Sequence, residues 1–368
     1  MKSEKVAIAM SGGVDSSVAA ALLVERGYQV FGVMLRLWSE PGREGSNRCC
    51  TPDSMAQARR VAAQLKIPFY AINAQDIFRQ VVVEYFLDGY RSGITPNPCL
   101  LCNRFVRWDF LLRHVQTMGA EKMATGHYAI LRVAINGNVK LLKGYDENKD
   151  QSYVLSVLSQ EQLQHTLLPI GEYTKPQVRQ LARDFGLPVA ERQDSQDLCF
   201  LAGQDYREFL KRNAPDVIKP GKIITRSGQV VGEHEGLGFY TIGQRRGLGI
   251  QAIHPYYVVD KNVEENLLIV GEESDLRFVG LIAEDVNWIE NTPPALCFDS
   301  EIKIRYKARL VPGVVEVKDR HIVQVQFDQP VRDVTPGQRA VFYQGEEVIG
   351  GGMIRKAIPI STQEEASS

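Results

Sequence analysis

The sequence predicts an α/β protein with an N-terminal doubly wound parallel sheet, followed by a small central domain and a C-terminal β-barrel-like domain. Three observations predict it. Short apolar runs at 5–10, 29–37, 67–73 and 121–125 alternate with stretches of helical periodicity, the pattern of parallel strands joined by crossover helices. After about residue 205 the long helical patterns give way to glycine-rich, β-prone segments such as Lys222-Ile223-Ile224 and Gln229-Val230-Val231. From about residue 277, alternating runs within 301–306, 322–327 and 340–342 point to an all-β unit. The expected division is 1–205, 206–276 and 277–360, with a polar tail, 361–368, expected to be disordered.

In chain order, the apolar run from Val6 to Met10 reads as a strand, and Val18 to Glu25 reads as an alanine-rich amphipathic helix. Between them lies Ser11-Gly12-Gly13-Val14-Asp15-Ser16-Ser17. The glycines permit a tight turn with close backbone approach, the following amides point toward an anion, and three serines add hydroxyl donors. The loop lacks the lysine of the G-x-x-x-x-G-K-[ST] motif and the third glycine of the dinucleotide fingerprint. A capped helix start without a ligand also fits. Further helices are expected from Ala58, Val61, Ala62 and Leu65, from Ile77 to Tyr90, from Phe105 to Val115 and from Lys175 to Phe185. Asn136-Gly137 between β-prone runs predicts a hairpin interrupting the α/β domain.

The 368 residues carry a formal net charge of −1, which leaves no global electrostatic footprint for nucleic acid. Arg207, Lys211, Arg212, Lys219, Lys222 and Arg226 form a locally basic stretch that a solvated helix face also explains. The chain enters its first strand directly and holds no run near the ~18 apolar residues of a membrane span, so a cytoplasmic protein without a membrane partner is expected.

Six cysteines are too few for a disulfide scaffold in a chain of this size. Cys99 and Cys102 follow the proline-bracketed Thr95-Pro96-Asn97-Pro98 and lead into a helix. Thiols near a helix N-terminus are expected to favour thiolate below the ordinary pKa of ~8.5. Cys199, far along the chain, is expected to come close and complete a redox pair. A zinc site from Cys49, Cys50, Cys99 and Cys102 is disfavoured because adjacent cysteines are awkward tetrahedral ligands. Cys297 is expected to be a buried hydrophobe.

Ser11 to Ser16 resembles the S-G-G-x-D-S signature of the PP-loop, adenine nucleotide α-hydrolase-like ATP pyrophosphatases. That resemblance implies ATP cleaved between its α- and β-phosphates, with Mg2+. It assigns the nucleotide to Ala9, Met10, Ser11, Gly12, Gly13, Val14, Asp15, Ser16, Ser17, Met34 and Gly126. Asp15 either caps amides or, the favoured reading, holds a magnesium-bound phosphate. Met34 either stacks on adenine or is a core residue.

Five further motifs occur in order: T-P-N-P-x-x-x-C-N from Thr95, T-G-H-Y-A from Thr125, K-D-Q-S-Y from Lys149, S-Q-D-L-C-F from Ser195 and T-I-G-Q-R-R-G-L-G from Thr241. Together they resemble the tRNA-specific 2-thiouridylase family over nearly the whole chain. The resemblance implies adenylation of a uracil C2 oxygen, a persulfide on Cys102, attack by Cys199, and a disulfide that needs a reductant. Many relatives carry aspartate where this chain has Cys99. Cys99, Cys102 and Cys199 therefore also suggest a [4Fe–4S] cluster as the alternative route. The resemblance places the target base at Asn97, Pro98 and Cys99, and tRNA at His127, Lys149, Asp150, Gln151, Arg305, Tyr306 and Gln338. It implies as partners tRNA and a cysteine desulfurase or sulfur-relay protein, and a monomeric state. Gln244-Arg245-Arg246-Gly247 suits RNA phosphates. Competing readings are a PP-loop ligase without paired thiols, and an RNA-binding protein whose glycine loop is only a turn.

Overall fold

In a computed structural model, described for residues 4–42, 51–193, 198–201 and 203–360, the chain begins with a five-stranded sheet, all of it parallel. The order is Phe69–Asn73, Gln29–Arg36, Lys5–Ala9, Lys122–Ala124 and Thr166–Leu167. The first three strands are laid in one direction and the chain then returns to the other side of Lys5–Ala9. That reversal puts a switch-point crevice between Lys5–Ala9 and Lys122–Ala124, outside their carboxyl ends. The loop at Ser11 and the segment beginning at Thr125 leave the sheet there. The two-residue strand Thr166–Leu167 escaped the sequence analysis because it is too short to show a period.

Helix Val14–Glu25 differs from expectation. Apart from Asp15 it is buried along Val14–Leu23, so it is not amphipathic. It shares one apolar cluster with Ala58, Val61 and Ala62 of helix Pro52–Gln64, and with Val178 and Ala182 of helix Lys175–Asp184. Small alanine side chains suit this crowded position, where helices meet on both sides. Thr174 and Gln177 close a reciprocal capping box at the start of Lys175–Asp184.

Two helices are longer than their periodicity suggested. Residues 75–91 and 98–117 each run without a break through a widened, π-helical middle, Arg79–Val83 and Cys102–Leu111. Such widening shifts the hydrophobic register, which is why the 3.6-residue pattern detected only parts of them.

The central region forms a four-stranded sheet in the order Tyr257–Asn262, Leu267–Gly271, Gly221–Thr225, Val230–His234. In the C-terminal region, six strands from Arg277–Trp288 to Glu347–Pro359 close on themselves, because the first pairs with the last. This is a barrel. The hairpin Ala129–Val133 and Val139–Lys143 forms around Asn136-Gly137 as expected, with Gly137 at φ +83. It pairs with Glu347–Pro359, however, and extends the barrel's sheet rather than the parallel one. Tyr343, Val341 and Val348 of the barrel accordingly share a core with Trp108, Leu111 and Leu141. Among the described residues no helix is long and apolar enough to cross a membrane.

Candidate active site

The loop after Lys5–Ala9 is built by its own serines. Ser11 N donates to Ser16 Oγ at 3.2 Å, Gly13 N lies 3.4 Å from Ser11 Oγ, and Ser17 Oγ donates to Gly13 O at 2.8 Å. Gly12 sits at φ +73, and a Cβ there would meet Ser54 O at 2.3 Å. Gly126 is equally constrained: a Cβ would lie 2.6 Å from Ser16 N, so the chain after Lys122–Ala124 presses on the helix start. Ala9, Met10, Val14 and Gly126 are thus assembled with the serines at the switch point. Met34 is 1 % exposed and packs in the core with Met10 and Val18. Its side chain has the core role, one of the two roles the sequence left open.

Asp15 differs most from expectation. Lys175 Nζ donates to both of its oxygens, at 2.7 and 2.9 Å, and the Tyr128 hydroxyl donates to Oδ1 at 2.7 Å. Both oxygens of Asp15 are thus engaged by protein donors, and the loop carries an ammonium beside them. The sequence hid this lysine because it is 160 residues away and reads as the first turn of an ordinary capped helix. Arg192 was also missed; it donates to Gly12 O at 3.0 Å and Ser54 Oγ at 2.9 Å.

Thr125-Gly126-His127-Tyr128 runs between this loop and the cysteine-bearing helix. His127 is buried; Arg107 Nη1 lies 3.1 Å from Nε2, and Thr125 Oγ1 lies 2.8 Å from Nδ1. Arginine can only donate, so Nε2 accepts and the ring proton sits on Nδ1. Burial first, and then the Arg107 charge, push its pKa down to about 3. His127 is therefore a neutral residue whose two ring nitrogens both meet internal partners.

Cys99 is exposed in the first turn of the helix, and Cys102 is 8 % exposed one turn later. Cys199 lies in the turn Cys199–Leu201, partly buried against the same apolar cluster that contains Cys102, Phe78, Val106 and Phe200. The two distant thiols therefore border one apolar cluster. Among the described residues no group of three or more His, Cys, Asp or Glu side chains is arranged to hold a metal ion. The three cysteines as placed do not fit a [4Fe–4S] cluster. Cys49, Cys50 and Ser195 to Asp197 lie outside the described residues. Cys297 is exposed at the start of its strand, not buried.

The barrel closes over the loop before Cys99. Gln338 Nε2 donates to Thr95 O at 2.8 Å, and Pro96 packs on Gly89. The Asn97 side chain lies against the Tyr153 hydroxyl, which donates to Arg339 O at 2.9 Å. Pro98 is buried at the helix start. The resemblance places tRNA at Arg305 and Tyr306. The strand begun by Cys297 ends at Lys303, and Arg305 lies beyond it, donating to Asp333 O and Thr335 Oγ1. Its Nε is buried without a partner, and burial lowers its pKa. Burial raises the pKa of Tyr306, and the nearby Asp150 and Cys99 add to the shift. Tyr306 thus belongs to the wall beside Cys99.

Asp150 is buried and accepts from Gly144 N, Ser152 N and Ser152 Oγ, each at 3.0 Å. Gln151 Oε1 accepts from Tyr128 N at 3.0 Å. These two shape the site from inside, while Lys149 is half-buried at its edge. The basic stretch is matched by acids: Arg212 reaches Glu40, Lys211 reaches Glu208 and Arg226 reaches Asp275. Arg245 and Arg246 instead border an open cleft of about 570 Å³ with Tyr257, Glu273 and Arg332.

A serine-glycine loop at the switch point of a parallel sheet, with an ammonium beside it and a β-barrel closing over the cysteine-bearing helix start, defines a HUP-domain protein. The tRNA methyl transferase HUP domain model matches residues 4–203, the matching PRC-barrel domain 207–272, and an aminomethyltransferase β-barrel domain 278–354. The tRNA-specific 2-thiouridylase MnmA of Carboxydothermus hydrogenoformans is 46 % identical over 363 residues, covering 96 % of this chain and 98 % of its own. Those of Magnetococcus marinus and Roseiflexus castenholzii are each 47 % identical, covering 95 % and 96 % of this chain and 99 % of their own. The chain belongs to the tRNA-specific 2-thiouridylase family.

Proposed function

We propose that the protein replaces the C2 oxygen of the wobble uridine in lysine, glutamate and glutamine tRNAs with sulfur, using ATP. The observation that supports this reading is that Cys102 and Cys199, distant in sequence, border the same apolar cluster. The segment 125–128 links that helix to the nucleotide loop.

A uracil C2 oxygen is a poor leaving group. Its attack on the α-phosphorus of ATP expels pyrophosphate and leaves an adenylate, from which AMP departs readily. Amides of the loop, the hydroxyls of Ser11 and Ser16, and Lys175 would receive the phosphates together with any magnesium they carry. Gly126 flanks the adenosine. The flipped base enters between Asn97, Pro98 and Cys99, with Tyr306 as an aromatic wall.

Cys102 carries the persulfide received from a cysteine desulfurase or relay protein. Cys199 attacks the sulfur of Cys102, releasing hydrosulfide to displace AMP, or closes the disulfide as product leaves. Either course ends with Cys102 and Cys199 oxidised, so a reductant resets each cycle. Cys99, exposed at the pocket, occupies the position of the carboxylate in many relatives. Arg245, Arg246 and Lys149 meet tRNA phosphates, which gives affinity that falls with salt but no choice of sequence.

Nucleoside mass spectrometry of unmodified tRNA, after anaerobic incubation with the protein, magnesium, a desulfurase and cysteine, tests the reading. ATP-dependent 2-thiouridine at the wobble position is expected. Its absence, with sulfur delivery and tRNA binding verified, refutes it.

A further inference from the structure

The peptide between Gly12 and Gly13 decides whether an anion in the loop meets an N–H or a carbonyl. A trans peptide points these two groups in opposite directions. Glycine crosses between backbone regions at little cost, so two in succession leave this peptide free to turn over.

Side chains on both faces oppose that turn, and the charged one is Arg192. Arg192 Nη1 donates to the Gly12 carbonyl at 3.0 Å. The Gly13 N–H, facing the other way, lies 3.4 Å from the hydroxyl oxygen of exposed Ser11. The second guanidinium nitrogen donates to Ser54 Oγ at 2.9 Å and lies 3.0 Å from Asp53 Oδ2. Asp53 and Ser54 belong to the first turn of Pro52–Gln64. The backbone of Arg192 is itself fixed, because Arg179 Nη1 donates to Ala190 O at 2.9 Å and Arg192 O at 3.0 Å. The charge of Arg192 is matched by Asp53, so the guanidinium serves as a clamp on the backbone and not as a cation for phosphate.

We propose that Arg192 is a positioning residue that locks the Gly12–Gly13 peptide with its N–H turned into the phosphate loop. The proposal rests on reading that loop as the seat of the ATP phosphates. Without the clamp, the peptide spends part of its time with the carbonyl facing the site, where it repels an anion.

The test is steady-state thiolation by the full chain, with ATP and tRNA varied separately, for R192A, R192K, D53A and G13A. Gly13→Ala sets a methyl group 3.3 Å from Ser11 Oγ, inside the cradle, and reports on the loop itself. Loss of a charge-assisted hydrogen bond predicts that R192A raises KM for ATP about tenfold or more, with KM for tRNA unchanged. R192K keeps the charge without the fork and falls between. Added millimolar guanidinium lowers the KM of R192A. A KM for ATP unchanged in R192A but raised in G13A overturns the clamp and leaves the loop reading intact. No change in either variant overturns the loop reading and the proposal with it. If R192A melts early, D53A decides: loss of an exposed partner predicts a rise of about two- to fivefold, and no rise overturns the proposal.

Discussion

Replacing Lys175 by methionine separates the contact its ammonium makes with Asp15 from the role proposed for it toward the ATP phosphates. Lys175 is 8 % exposed, and its Nζ lies 2.7 and 2.9 Å from the two Asp15 oxygens. Removing one partner of a fully buried pair costs ~3–5 kcal/mol. Here the Asp15 side chain keeps 33 % of its surface in solvent and still accepts from Tyr128 at 2.7 Å. Solvent screening therefore reduces the expected loss of stability to ~2 kcal/mol. The effect on catalysis is larger than that loss explains. A charge-assisted contact is worth ~1.5–3 kcal/mol, which at ~1.36 kcal/mol per decade predicts that kcat/KM for ATP falls about 10- to 150-fold. Thiouridine formation with ATP varied measures this, and thermal unfolding measures the stability. Adding Asp15→Asn removes the unbalanced carboxylate, so D15N/K175M recovers stability but stays defective with ATP. Wild-type kcat/KM for ATP in K175M refutes the phosphate role. Recovered activity in the double variant refutes it too, by showing that Lys175 only neutralises Asp15.

Cys102→Ser and Cys199→Ser are each expected to abolish thiouridine formation while leaving tRNA affinity in filter binding within about twofold, as expected for substitutions outside the main RNA contacts. Full activity in either variant favours a ligase that needs no thiols. His127 is held neutral when folded, with a pKa near 3, whereas an unfolded histidine protonates near 6.5. Its contribution is complete above pH 6.5 and declines below it, with a limiting slope of ~1.36 kcal/mol per pH unit toward pH 3. H127Q is expected to flatten the acid limb of a stability-against-pH curve, and an unchanged limb contradicts the neutral assignment. Lys261 has a buried Nζ without a hydrogen-bond partner, and burial lowers its pKa to about 8. The unfolded lysine titrates near 10.4, so stability rises with pH between about 8 and 10.4. K261M is expected to raise the melting temperature at pH 7 and to remove that rise; a lower melting temperature contradicts it.

The sequence by itself determined the local features. Alternation of apolar runs with helical periods specified the parallel sheet, and Ser11 to Ser17 specified a loop opening a helix, because strands, helices and tight turns are short-range consequences of side-chain spacing. Thr95 to Cys102 likewise declared a proline-set helix start carrying two cysteines. Only the tertiary structure decided which partners these groups meet. Lys175 and Arg192 sit in unremarkable helix and loop positions, yet the fold brings both to the phosphate loop. Arg305, Asp150 and His127 read as RNA contacts by resemblance, and burial turned their polar atoms inward. The hairpin at Asn136-Gly137 was legible as a hairpin, but its attachment to the barrel was not. A turn is encoded by its own few residues, whereas the strand that covers an edge, or the cation that balances a carboxylate, is chosen by packing of the whole chain.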